Sequence, residues 1–81
     1  MNCIVLYASL SQVHRIRRHL HESGLYADLI RAPQCLAARG CGFALRCDPA
    51  LASEIRRISA ALAIEVRGVF AESTEGYSPL P

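Results

Sequence analysis

Apolar and polar positions along this chain alternate between two periods. Residues 2–8 open with Cys3, Ile4, Val5, Leu6 and Tyr7, a short continuous apolar run that suits a buried strand. Ser9 or Ser11 then offers a hydroxyl to cap a helix. Val13, Ile16 and Leu20 recur at three and four, which is one helical stripe. His14, Arg15, Arg17, Arg18, His19 and His21 fill the other positions, and Gly24 marks a helix stop. Tyr26 to Arg31 reads as a short second strand, followed by a loop from Ala32 to Gly40 that carries Pro33. From Cys41 to Cys47 the alternation is strict: Cys41, Phe43, Leu45 and Cys47 face one way, with Gly42, Ala44 and Arg46 opposite. Asp48-Pro49 is a helix start, and Leu51, Ile55, Ile58 and Leu62 give the clearest helical stripe in the chain. Residues 64–70 alternate as a last strand, and residues 72–81 show no period, which predicts a loose C-terminal tail.

The order β-α-β-β-α-β is that of a ferredoxin-like α+β two-layer sandwich. Right-handed crossovers place the third strand between the first and second and the fourth outside the first, an antiparallel sheet of order 4-1-3-2. Both helices then cover one face. The other face carries Arg46, Glu65 and Arg67, and is expected to be open or used for self-association. Residues 1–71 are expected to form one such domain.

At 81 residues there is room for one domain, and 52% hydrophobic residues suffice for a core. A chain this short buries only about 60–65% of the surface its unfolded form exposes. No stretch approaches a membrane span, and the N-terminal run reads as a strand, not a leader. The net charge of +2, with all nine basic residues Arg, is too mild to imply nucleic acid. With no secretory pattern, the four cysteines read as reduced thiols in a cytoplasmic protein.

The topology separates the cysteines. If the first and third strands are antiparallel neighbours, Cys41 lies near Ala8 and Ser9, at the start of the first helix. Cys3 and Cys47 lie together at the opposite end and read as packed strand residues. Amide N–H groups and the helix dipole at a helix start favour an anion, which makes Cys41 the candidate thiol. Gly40 and Gly42 flank it and leave room for a partner to approach. Arg31 and Arg39 are candidate electrostatic support, with Ser9 at the helix cap.

The pieces Glu22-Ser23-Gly24-Leu25, Ala32-Pro33, Cys41-Gly42-Phe43-Ala44-Leu45-Arg46 and Ile64-Glu65-Val66-Arg67-Gly68-Val69 together resemble the putative selenium/sulfur carrier-like proteins. These are small bacterial domains built around a Cys-Gly dipeptide that leads into a strand. The likeness covers roughly residues 3–70. It implies a cysteine that takes up sulfur or selenium as a persulfide or selenopersulfide and passes it on, with no bound cofactor. In this chain that cysteine is Cys41, and a donor such as a cysteine desulfurase is implied as partner. The chemistry implied is that of a carrier more than of a turnover enzyme.

Two other readings stand beside it. One is an interaction module, a homodimer formed through the exposed sheet face. The other is a redox sensor, in which Cys35 resolves an oxidised Cys41 as a disulfide. A metal site is disfavoured, because no Cys-x-x-Cys occurs and the histidines lie on the wet face of the first helix. RNA binding is disfavoured too, because the third strand offers one aromatic, Phe43, on the face of Leu45. No phosphate loop or nucleophile elbow is visible.

Overall fold

The computed structural model describes residues 2–80. Its elements are β1 (Asn2–Tyr7), α1 (Leu10–Glu22), β2 (Asp28–Arg31), β3 (Phe43–Cys47), α2 (Ala52–Ala61), β4 (Val66–Ser73) and β5 (Gly76–Pro79). Short 3-10 turns cover Ala37–Arg39 and Pro49–Leu51. Ser9 caps α1 by accepting the Gln12 N–H at 3.3 Å, so the first of the two candidate serines is the cap. Asp48 accepts the Ala50 N–H at 2.9 Å, and Pro49 sits where its missing N–H costs nothing.

The two helices end alike. Gly24, at φ +78°, lets Leu25 N–H reach the Leu20 carbonyl at 2.8 Å, and Ala63, at φ +56°, lets Ile64 N–H reach the Ser59 carbonyl at 2.8 Å.

The fold is α+β with two helices and an antiparallel sheet of order β2-β3-β1-β4-β5. β1 lies between β3 and β4, with Cys3 opposite Cys47 and Ile4 opposite Phe70. The expected four-strand sheet is therefore corrected by a fifth strand. The expected loose tail is corrected with it. β4 runs on to Ser73, and the chain returns as β5 with Ser73 opposite Gly76 and Phe70 opposite Pro79. Pro79 is tolerated because β5 is an edge strand. Beyond it, Leu80 N–H donates to the Val69 carbonyl at 2.7 Å.

The sheet is covered on both faces, which explains why Cys3 through Tyr7 can all be apolar and buried. On the helix side, Cys3, Val5, Tyr7, Leu45 and Val69 pack against Val13, Ile16 and Leu20 of α1 and Ile55 and Ile58 of α2. On the far side, Ile4, Leu6, Ala44 and Phe70 pack against Ala32 and Leu36, with Tyr77 of β5 beside them. The expectation of an open far face is thus corrected, because the segment between β2 and β3 folds back across it. The charged residues assigned to that face form ion pairs: Arg46 holds Glu72 at 2.8 Å, and Arg67 holds Glu65 at 3.0 Å.

Candidate functional site

Cys41 stands just before β3. Its N–H donates to the Tyr7 carbonyl at 3.0 Å, which ties it to the last residue of β1, three positions before α1 begins. Gly40 lies against the same carbonyl, and a Cβ there would stand 2.8 Å from the oxygen, closer than side chains tolerate. Gly42 has φ +90°, and its carbonyl accepts the Ala32 N–H at 2.9 Å. This left-handed residue is why regular pairing starts at Phe43, two residues later than the alternation predicts. The two glycines therefore fix the backbone of Cys41 from both sides. Its thiol is half-buried, packs on the helix-side core, and points its hydrogen at the Phe43 carbonyl, 3.6 Å away.

The other expected participants are dispersed. Ser9 uses its hydroxyl on the first turn of α1 and touches Ser11 at 3.1 Å. The Arg31 guanidinium lies over the Phe43 ring, 5.5 Å from its centre, and that of Arg39 lies over Phe70 at 5.4 Å. Both are cation–π placements, and Arg39 is drawn to the far face by Phe70. It still lines a small cavity of about 110 Å³ together with Ala8, Ala38, Gly40 and Arg67. Cys35 is exposed in the segment that carries Leu36 onto the far face, whereas Cys41 packs on the helix side. No hydrogen bond joins these two thiols among the described residues.

The thiols in contact are Cys3 and Cys47, 3.3 Å apart and both buried. Burial, and then the neighbouring Cys3 thiol, push the Cys47 thiol strongly upward, so it stays protonated. A second buried polar contact escaped the sequence reading: Tyr7 Oη lies 2.8 Å from Ser59 Oγ, which donates to the Ile55 carbonyl at 2.7 Å. The available signal was the position of Ser59, four residues after Ile55 on the buried side of α2. Among the described residues, no group of three potential metal ligands converges, and no helix is long and apolar enough to cross a membrane.

A family model described as putative Se/S carrier protein-like matches residues 2–71. The chain belongs to this family. The Se/S carrier-like match spans everything from β1 to Ala71 within β4, so the Cys41 site lies inside it and β5 lies beyond it. No curated protein and no solved structure matches the chain.

Proposed function

We propose that this chain carries sulfur or selenium on the thiol of Cys41, receiving it from a donor and passing it to an acceptor protein. The observation that supports this reading is the setting of Cys41: a half-buried thiol on a backbone fixed by Gly40, Gly42 and the Tyr7 carbonyl. α1 begins three residues after Tyr7, whose carbonyl holds the Cys41 N–H. Family membership points the same way. We read β1 to β4 with the two helices as a ferredoxin-like scaffold, extended by β5. The chemistry calls for a compartment that keeps thiols reduced, the cytoplasm.

Loading is an exchange without net oxidation. The Cys41 thiolate attacks the outer sulfur of a persulfide on the donor, and the donor's S–S bond breaks. The donor cysteine leaves as a thiolate and takes up the proton that Cys41 released. Gly40 and Gly42 keep the approach free of side chains, and the half-buried position shields the product from unselective thiols.

The test is intact mass after incubating the reduced protein with a cysteine desulfurase and cysteine. One added sulfur atom is expected on the native chain and none on Cys41→Ser, with the added mass removed by a thiol reductant. Equal loading of Cys41→Ser, or no loading of the native chain, overturns the reading.

A further inference from the structure

The chain carries nine arginines against seven acidic residues, for a net charge of +2. Arg15, Arg17, Arg18 and Glu22 all lie on α1, so this helix alone accounts for +2. The remaining six arginines and six acidic residues cancel. The six arginines among them are also engaged: Arg46, Arg57 and Arg67 hold Glu72, Glu54 and Glu65, Arg31 and Arg39 lie over aromatic rings, and Arg56 has an interaction of its own. On α1, Arg15 and Arg18 are exposed and hold no carboxylate among the described residues. Arg17 donates to the Ala27 carbonyl at 3.4 Å. These three arginines, with His14, His21 and Glu22, line an open groove of about 560 Å³.

We infer that the outer face of α1 is the docking surface for an acidic protein partner. The patch concentrates the molecule's entire excess charge on one helix, the arrangement that steers and orients an oppositely charged surface. A nucleic acid fits less well. Three arginines neutralise few phosphates, and the exposed Tyr26 ring is already stacked on His21, 5.6 Å between centres, leaving no platform for a base. A lipid surface fits less well too, because Leu10 is the one large apolar side chain exposed on α1. The inference rests on the carrier reading for one point: α1 starts beside Cys41, so a protein seated along the helix meets the thiol.

The experiment is fluorescence anisotropy with a labelled helical Glu/Ala peptide, and with labelled single-stranded RNA and phosphatidylglycerol vesicles as competing probes. Arg15→Glu/Arg18→Glu is expected to weaken peptide binding about tenfold or more. Arg57→Glu/Arg67→Glu changes the net charge equally but is expected to weaken it by about twofold at most, and added salt weakens all binding. Equal losses in the two double variants, absence of peptide binding, or tighter binding of RNA or vesicles overturns the inference. Cys41→Ser is expected to bind the peptide as the native chain does. Peptide binding without sulfur loading would then count against the carrier reading alone, and loading without binding against the docking surface alone.

Discussion

Tyr7 and Ser59 meet in the helix-side core, where neither side chain reaches water. Because Ser59 donates its proton to the Ile55 carbonyl, the phenol donates to Ser59 Oγ, and no buried hydroxyl is left unsatisfied among the described residues. Burial pushes the Tyr7 phenol from its ordinary 10.0 up to about 12, against a smaller opposing effect of the Ser59 hydrogen bond. The folded state therefore holds the phenolic proton more tightly than the unfolded chain. The resulting stabilisation is complete below about pH 10 and is lost as pH rises toward 12, an amount on the order of 2–3 kcal/mol. Urea unfolding across this range should show the native chain losing about that much more stability than Tyr7→Phe, the loss that comes from the buried Cys47 thiol being common to both. Ser59→Ala, which strands the phenol in the core, should cost about 1–3 kcal/mol at neutral pH. Sequence reading places Tyr7 in a strand but passes over Ser59, because an apolar stripe is counted by its hydrophobic members and a buried serine looks like a surface one.

At the scale of elements, most boundaries follow from residues with a local physical signature. Ser9 and Asp48 cap, Pro49 sits at a helix start, and Gly24 ends α1. Ala63 performs at the end of α2 the task Gly24 performs at the end of α1, but an alanine carries no mark of a left-handed backbone. Ala63→Gly should relieve that conformation and stabilise the fold by about 1 kcal/mol, raising the thermal midpoint by several degrees, as differential scanning calorimetry would read. The fifth strand was hidden for a related reason. The turn between β4 and β5 is Thr74-Glu75, without the Asn-Gly or Asp-Gly that advertises a tight hairpin, and the prolines that follow suggest a break. Gly76, at φ +125°, is the one local sign that the chain reverses there.

Across the whole molecule, antiparallel pairing was enough to bring Cys41 to the end of β1 and Cys3 to Cys47, since the end of one strand then lies beside the start of its neighbour. Side-chain directions did not follow. Arg31 and Arg39 both precede the thiol in sequence yet settle on Phe43 and Phe70, partners that only the assembled sheet supplies. Nor does any periodicity announce that a loop will cover a sheet face. Leu36 is the anchor of that cover, 5% exposed and packed with Ile4, Leu6 and Phe70. Leu36→Ala should cost about 2–4 kcal/mol in chemical unfolding and increase binding of a hydrophobic dye, as the far face loses its seal. Far smaller losses would show that the loop lies on the sheet without holding it.

The loop that Leu36 pins down is the one that delivers Cys41. On the reading proposed above, a cargo bonded to that sulfur would be mounted on a post instead of a swinging arm, and would travel no farther than a single cysteine side chain can rotate. Whatever loaded or unloaded it would then have to bring its own reactive group to the rim of the sheet, and the choreography of transfer would belong to the visitor.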